Sequence, residues 1–280
     1  MFRWLKPKSE DIETHESPIV ENFTNPEPIY EYFTTMTGIH FDQKESIVTP
    51  KLIRFSKEHE CYSFDALYEK LHCENRCKEA LINLLTVNET YFYREMGQIE
   101  FVAKCIQNDP SYRRILCAPG SSGEEPYSIA IYLSAHGCDL TNIEIVSIDI
   151  NTEVIEKAKL GFYPQRSLYR LSDEIKERYF VAEENGYRII DSIRKKVSFY
   201  PCNLFDETFV GLGKFDILFS RNMLIYFDTE RILRAVEQLK KVASSEKSLF
   251  FFGHADIVTK IPTLNEHYSD GIKYYSMEKA

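Results

Sequence analysis

The hydrophobic pattern of this chain changes at about residue 112. From residue 28 to residue 86, apolar side chains recur at helical spacing, and few stretches resemble strands. The groups with this spacing are Ile29/Tyr32/Phe33/Met36, Ile47/Leu52/Phe55, Phe64/Leu67/Tyr68/Leu71 and Ala80/Leu81/Leu84/Leu85. Because residues three and four apart lie on one face of a helix, residues 28–86 are predicted to form a small all-helical N-terminal domain.

Short apolar runs alternate with helical patterns beyond residue 112. The predicted strands are residues 114–118, 143–148, 197–200, 215–219 and 248–252, and the predicted helices are residues 124–136, 151–160 and 229–242. Near the end of the chain, Asp270-Gly271 is typical of a hairpin turn that leads into a strand at residues 272–277. This alternation predicts an α/β fold with a doubly wound parallel sheet, covered on both faces and extended by antiparallel strands at one edge.

Two segments do not follow this alternation. Residues 163–196 contain a charged helix at 173–179 and a strand at 187–190, so we interpret them as an inserted subdomain of the domain 87–280. Residues 1–27 carry six acidic side chains, three prolines and few apolar residues. Such a composition buries too little apolar surface to fold, so it is expected to be a flexible acidic tail.

The overall composition is that of a folded protein, since 44% of the 280 residues are hydrophobic and 28% are charged. No apolar run approaches the ~18–20 residues that a membrane-spanning helix needs, and residues 1–16 lack the apolar segment of a signal peptide. We therefore expect a cytoplasmic protein with no direct membrane insertion. The formal net charge of -9 argues against tight nonspecific binding to nucleic acid, which needs a basic surface.

The seven cysteines are most simply explained as reduced thiols, because their number is odd and the chain is too long for a small disulfide-stabilised fold. Five residues of metal-binding types lie close together, namely His59, Cys61, His72, Cys73 and Cys77. Their spacing differs from the paired C-x-x-C of a zinc ribbon. Buried thiols are therefore the preferred interpretation, and no metal is expected.

Three polar features follow predicted strands, at the edge of the sheet where parallel α/β folds bind ligands. Residues 119–126 combine small residues, which let a ligand approach the backbone, with Glu124 and Glu125, which would repel a phosphate. Asp149 is equally suited to accept hydrogen bonds from ribose hydroxyls or to cap the next helix. Asn203 could bind an adenine ring or stabilise a turn. Together these features fit S-adenosylmethionine, which joins adenosine to a sulfonium and a charged amino acid group.

Two further segments are unusually rich in polar and aromatic residues. NETYFYRE (residues 88–95) connects the predicted helical domain to the sheet, and SRNMLIYFD (residues 220–228) follows the fourth strand. The end of that strand is a usual place for residues that face a transferred group. From the pattern alone, each segment is as compatible with packing as with a functional site.

The chain resembles the CheR-type chemotaxis receptor methyltransferases in order from about residue 28 to residue 277. The matching strings are NETYFYRE, CAPGSSGEEPYSIAI, SIDINTEVIEKAKLGFY, SDEIKERYF, NLFD and FDILFSRNMLIYFD. The resemblance implies a class I S-adenosylmethionine-dependent methyltransferase domain with a helical N-terminal domain and a short inserted β-subdomain. It also implies methyl transfer to glutamate side chains in the cytoplasmic domains of methyl-accepting chemotaxis receptors, with S-adenosylhomocysteine as product.

The same resemblance implies roles for individual residues. The positions that match cofactor-binding residues are Asn88, Thr90, Arg94, Glu125, Asp149, Asn203, Leu204, Arg221 and Asn222. Arg94 and Tyr226 match residues near the departing methyl group and are the catalytic candidates. The stretch 51–59 is less basic than the receptor-facing helix of relatives, which bears on electrostatic docking and not on the chemistry. Two alternatives stay open: methyl transfer to another acceptor, and a noncatalytic regulator that binds S-adenosylmethionine.

Overall fold

The computed structural model of the protein describes residues 21–41, 44–256 and 260–278. The predicted acidic tail lies outside these residues except for its last seven positions, residues 21–27. There, Asn22 forms a parallel bridge with Ser63, so the described end of this segment lies against the N-terminal helices.

Four helices form the N-terminal part, as predicted. They are α1 (Glu27–Thr37), α2 (Glu45–Glu58), α3 (Phe64–Cys73) and α4 (Asn75–Leu85). Their apolar faces meet in a hydrophobic cluster of their own, on which we base the proposal that residues 28–86 are a separate domain. The prediction that Ile47 lies on the buried face of α2 was wrong, because Ile47 is 62% exposed and Val48, Leu52 and Phe55 are buried. The buried residues have the i, i+4, i+7 spacing, which Ile47 does not fit.

The remaining residues form a seven-stranded sheet with helices on both faces. Its strands are β1 (Arg114–Cys117), β2 (Glu144–Asp149), β6 (Val197–Pro201), β7 (Ile217–Ser220), β8 (Leu249–Phe252), β9 (Leu264–Ser269) and β10 (Ile272–Met277). They lie in the order β6-β2-β1-β7-β8-β10-β9, and only the β10 pairings are antiparallel. The α/β fold and the terminal hairpin are therefore confirmed. The strand order reverses between β1 and β7, which is where ligands bind in such sheets.

The helices that cover the sheet are α5 (Met96–Asn108), α6 (Glu124–Ala135), α7 (Thr152–Leu160) and α10 (Thr229–Lys241). Two hydrophobic clusters pack against the two faces of the sheet. Helix α5 was missed at the sequence level, although Ile99, Val102, Ala103 and Ile106 have helical spacing and are buried. Asn151 caps α7 and Gly161 ends it with a φ of 65°, a conformation that favours glycine.

The inserted segment contains a second, smaller sheet. Its strands, β3 (Phe162–Tyr163), β5 (Gly186–Ile189) and β4 (Phe180–Glu183), are antiparallel and lie in the order β3-β5-β4, next to the short helices α8 (Asp173–Tyr179) and α9 (Asp191–Arg194). The sequence predicted α8 and β5 only. Strand β3 was missed because it is two residues long, and β4, which is as long as the predicted β5, was missed because its sequence FVAE does not alternate apolar and polar residues.

The cysteine-rich stretch 59–77 is built into the helical core. Cys61 and Cys77 are buried, and burial raises the pKa of both thiols. Cys73, at the end of α3, is exposed, so the interpretation as buried thiols was wrong for this residue. Within residues 21–41, 44–256 and 260–278, no group of three His, Cys, Asp or Glu side chains could hold a metal ion. No helix in these same ranges is long and apolar enough to cross a membrane.

Candidate functional site

A cleft opens at the carboxyl ends of β1, β2, β6 and β7, between the sheet and helices α1, α2 and α4. We call this the main cleft. Six of the residues predicted from the sequence line it, namely Asn88, Asp149, Asn203, Leu204, Asn222 and Tyr226. Residues from α2 and from the α1–α2 connection form the opposite wall, including His40, Lys44 and Lys51. The main cleft therefore brings together six of the ten residues predicted for the site, with the helical part as one side of it.

Asp149, the last residue of β2, is the main buried carboxylate of this cleft. It is 5% exposed, and its oxygens accept hydrogen bonds from the backbone N–H of Ser121 at 3.0 Å and of Asn151 at 2.9 Å. Burial raises its pKa to about 6, although these backbone hydrogen bonds act in the opposite direction. Among the described residues, Asp149 forms no salt bridge. The helix-capping role belongs to Asn151, which leaves Asp149 as a hydrogen-bond acceptor facing the cleft.

Asn203 follows β6 and joins the sheet to the helical part. Its amide Nδ2 donates to the carbonyl of Met36 at 2.8 Å, and its Oδ1 accepts from the backbone N–H of Phe205 at 3.0 Å. Asn203 therefore stabilises a turn, as one of the two interpretations expected, and it also lines the cleft; its binding to an adenine ring stays a prediction. Leu204, 6% exposed, adds an apolar surface beside it.

The loop after β1 has the close backbone packing that its small residues indicate. A side chain on Gly120 would collide with Ser147 of β2, so this position requires glycine. Ser122 donates to Glu124 at 2.7 Å, and Ser167 of the inserted segment donates to the same carboxylate at 3.2 Å. Glu124 is thus a structural link between the loop and the insert, and burial raises its pKa.

Arg221 and Glu125 form a buried ion pair beneath the cleft. Their side chains lie 2.7 Å apart, and Arg221 also approaches Glu95 at 3.4 Å and donates to the carbonyl of Arg94 at 2.7 Å. Burial raises the pKa of Glu125, and the Arg221 charge opposes that shift. Neither side chain lines the main cleft. Within the described residues, Oε1 of Glu125 is buried without a well-aligned hydrogen-bond partner, and the buried thiol of Cys117 lies next to this carboxylate.

The segment 88–95 is held by three different parts of the molecule. Phe92 donates its backbone N–H to Ser167 of the insert, Tyr93 donates to Ser128 of α6, and Asn88 accepts from Ser121 of the β1 loop. Tyr93 and Glu95 have positive φ angles of 60° and 51°, so the chain turns sharply here. The segment is therefore far more ordered than a linker.

Within that segment, Arg94 and Thr90 lie at different edges of the site. Thr90 lines a second cleft, which shares Asn88 with the main cleft and extends toward the insert; we call it the side cleft. The half-buried Arg94 donates to the carbonyl of Glu89 at 2.9 Å. Arg94 is close enough to Tyr226 for its charge to oppose the effect of burial, which raises the pKa of that tyrosine. The charge of Arg94 thus acts on Tyr226, and Tyr226 lines the main cleft whereas Arg94 does not.

Asp256 is a buried part of the site that the sequence analysis missed. It lies four residues after β8, is 2% exposed, and accepts backbone hydrogen bonds from Gly253 at 2.7 Å, Ile225 at 3.3 Å and Asn222. Asn222 has a positive φ of 58°. Asp256 therefore fixes the loop that carries Asn222 and Tyr226. No pattern in the sequence marks it, because its role depends on the pairing of β7 with β8.

Residues 88–272 match the family model described as CheR methyltransferase, SAM binding domain. The chain belongs to the CheR methyltransferase family. It is accordingly an S-adenosylmethionine-dependent methyltransferase. The matched range begins at Asn88, contains every residue that the sequence analysis proposed for the site, and ends within the terminal hairpin.

Chemotaxis protein methyltransferases of several bacteria resemble this CheR-family chain over most of its length. The protein of Campylobacter jejuni subsp. jejuni strain 81-176 is 37% identical over 241 residues, which are 86% of this chain and 91% of the relative. Chemotaxis protein methyltransferase 2 of Vibrio cholerae is 35% identical over 84% of this chain and 85% of its own. The Escherichia coli K12 protein is 32% identical over 77% of each chain.

The residues of the main cleft fit the chemistry of S-adenosylmethionine. Asp149 presents a buried carboxylate that can accept hydrogen bonds from ribose hydroxyls, and Leu204 and Ile148 offer apolar surface for a ring. The collision that a side chain on Gly120 would cause shows how closely the loop after β1 packs against β2. Glu125 does not line the cleft, but its buried Oε1 has no hydrogen-bond partner within the described residues, so the helix that follows this loop has an acceptor suited to an ammonium group.

Proposed function

We propose that this CheR-family methyltransferase esterifies glutamate side chains in the cytoplasmic domains of methyl-accepting chemotaxis receptors. The proposal rests chiefly on the match of residues 88–272 to the CheR methyltransferase family, and it is supported by a cleft that Asp149, Asn203 and Tyr226 line. The proposed binding residues are those implied by the resemblance, with Arg94 and Tyr226 as the groups that meet the acceptor carboxylate.

When bound, S-adenosylmethionine supplies a methyl group activated by a sulfonium. The acceptor needs no general base, since a glutamate carboxylate with a pKa of about 4.3 is already ionised at pH 7. The task of the protein is therefore to position the carboxylate, and positioning alone can lower a barrier by several kcal/mol. Arg94 can hold one carboxylate oxygen through its guanidinium, whose donors are only partly used by Glu89.

Tyr226 is suited to hydrogen bonding and not to proton abstraction. Burial raises its pKa above the ordinary value of 10.0, so it stays a neutral phenol at physiological pH and can donate to the acceptor. If Arg94 bound the acceptor carboxylate too tightly, it would stabilise the negative charge and make the carboxylate a weaker nucleophile. A single guanidinium contact with one oxygen leaves the other oxygen free to react.

The test is transfer of labelled methyl groups to a receptor cytoplasmic fragment, followed by treatment with alkali. We expect label that alkali releases, because methyl esters are base-labile. Base-stable label would indicate another acceptor, and cofactor binding without transfer would indicate a noncatalytic regulator. For Arg94→Ala, we expect turnover to fall by about 10²-fold, because the acceptor carboxylate is no longer held in line with the methyl group, with a smaller loss of cofactor affinity. Near-normal methylation of the fragment by this variant would contradict the role of Arg94.

A further inference from the structure

Four side chains beside the proposed acceptor position form a continuous surface cluster. We call Tyr91, Arg94, Tyr169 and Arg170 the Tyr91 cluster. The rings of Tyr91 and Tyr169 are 5.0 Å apart, and the guanidinium groups of Arg94 and Arg170 lie 5.7 Å and 5.6 Å from the centre of the Tyr91 ring. Two arginines from distant segments therefore contact the same aromatic ring.

The cluster is positively charged and has no internal counter-charge. Within the described residues, Arg94 and Arg170 form no salt bridge, and neither does Arg166, which lines the side cleft together with Tyr91 and Tyr169. Some surface arginines pair with carboxylates, as Arg114 does with Glu144 and Arg188 with Glu183, and others, such as Arg178, form no salt bridge among the described residues. Arg94 and Arg170 differ from the other unpaired arginines because both guanidinium groups lie against the same tyrosine ring.

The geometry of the cluster favours an anionic, partly apolar ligand. Arg170 lies 5.5 Å from the centre of the Tyr169 ring and donates from Nε to its hydroxyl at 3.2 Å, so its guanidinium plane is held in place. Tyr169 is 59% exposed and offers a flat surface. An arginine that is already held in place by an aromatic ring loses less conformational entropy when it binds a carboxylate.

We propose that Arg170, with Tyr91 and Tyr169, forms a second acid-binding subsite, which recognises another carboxylate on the same protein segment that presents the target glutamate. This inference rests on the proposed function, because that function assigns Arg94 to the target carboxylate. Arg170 shares the Tyr91 ring with Arg94, so a neighbouring acidic side chain of the acceptor would meet it. The occupant is thus an acidic stretch of the protein acceptor.

The test compares the charge-reversal variants Arg170→Glu and Arg178→Glu in the transfer assay with the receptor fragment. Arg178 is the matched control, since it is an exposed arginine of the same insert, lies 5.2 Å from the centre of the Tyr179 ring and forms no salt bridge among the described residues. We expect Arg170→Glu to raise the KM for the fragment about tenfold, with a smaller change in kcat and a weaker dependence of KM on salt. Arg178→Glu should stay within about twofold of the unsubstituted protein.

The outcomes separate this inference from the proposed function. If the unsubstituted protein transfers no alkali-labile methyl group, the proposed function fails. If it does transfer them and Arg170→Glu leaves the KM for the fragment unchanged, only the second subsite is overturned. Equal competition by a short DNA duplex and by the acidic fragment would also overturn it, because the cluster would then bind polyanions in general.

Discussion

Two buried aspartates at the same edge of the sheet differ in how their carboxylates are used. Asp149, at the end of β2, accepts two backbone hydrogen bonds and faces the main cleft, whereas Asp256, after β8, accepts three and does not line the cleft. Burial raises the pKa of both. The comparison indicates that the β2 side keeps acceptor capacity for a ligand, while the β7–β8 side uses its acceptors to hold its own loop.

The β7–β8 side also contains the buried ion pair of Arg221 with Glu125, and this pair should show the largest effect of substitution. Arg221→Met would leave Glu125 and Glu95 without their buried cation, which typically destabilises a protein by about 3–5 kcal/mol. The free energy of unfolding from denaturant titration measures this loss. The double variant Arg221→Met/Glu125→Gln should recover part of it, because the uncompensated charge is then removed.

The exposed Arg178 provides the control, and Arg178→Met should change the free energy of unfolding by less than about 0.5 kcal/mol. A loss below about 1 kcal/mol for Arg221→Met would contradict the idea that the β7–β8 side is stabilised internally. Such a small loss would instead indicate that Arg221, like Asp149, serves to bind a ligand.

A smaller effect is expected from Gly253→Ala, which tests whether the hydrogen bonds of Asp256 fix the loop that carries Asn222 and Tyr226. An added Cβ would lie 2.6 Å from Oδ2 of Asp256 and 3.0 Å from the backbone nitrogen of Asn222, so the carboxylate must move away. Weakened hydrogen bonds to this loop cost about 1–3 kcal/mol, which corresponds to a decrease in kcat of about 5- to 150-fold. Steady-state kinetics should show this decrease with little change in the KM for the protein acceptor.

Gly211→Ala is the matched control for this substitution, since nothing lies within 4 Å of its added Cβ. It should leave kcat within about twofold of the unsubstituted protein. If Gly253→Ala lowers stability and leaves kcat unchanged in the folded fraction, Asp256 supports the fold without positioning the residues of the site.

The sequence predicted the β2 side better than the β7–β8 side, for a physical reason. Asp149 ends β2 and Asn203 lies two residues after β6, and parallel strands bring their carboxyl ends to one edge, so position alone indicated a site. The role of Asp256 instead depends on the register that pairs Ser220 with Phe252 and brings the two loops together. Such a register is a tertiary property, which a single sequence pattern does not reveal.

The Arg221–Glu125 pair shows the same limit in another way. The sequence placed both residues in the site through the resemblance, and the structure places them beneath the cleft, in contact with each other. Residues nearly one hundred positions apart become partners only when β1 and β7 lie side by side. Helix α5 is a different case, because its buried residues carried a usable helical pattern that was not recognised.

The smallest expected effect is a pH dependence that distinguishes the two aspartates. The Asp149 carboxylate has a pKa of about 6, and only its ionised form can accept hydrogen bonds from both hydroxyls of a ribose. Cofactor affinity should therefore weaken as the pH falls below 6, by at most tenfold per pH unit, and isothermal titration would measure it. In Asp149→Asn the affinity should be lower and nearly independent of pH over this range.

As the pH falls, cofactor affinity should weaken, but the contribution of Asp149 to the free energy of unfolding of the cofactor-free protein should increase. Because folding raises this pKa above its ordinary value of 3.8, the folded state binds the proton more tightly between about pH 4 and 6. Lowering the pH through this window should thus stabilise the unsubstituted protein relative to Asp149→Asn. Suppose that the unfolding free energies of the two proteins change with pH in the same way while the cofactor affinity still depends on pH. Another group would then control binding, and Asp149 would not be the acceptor on the β2 side.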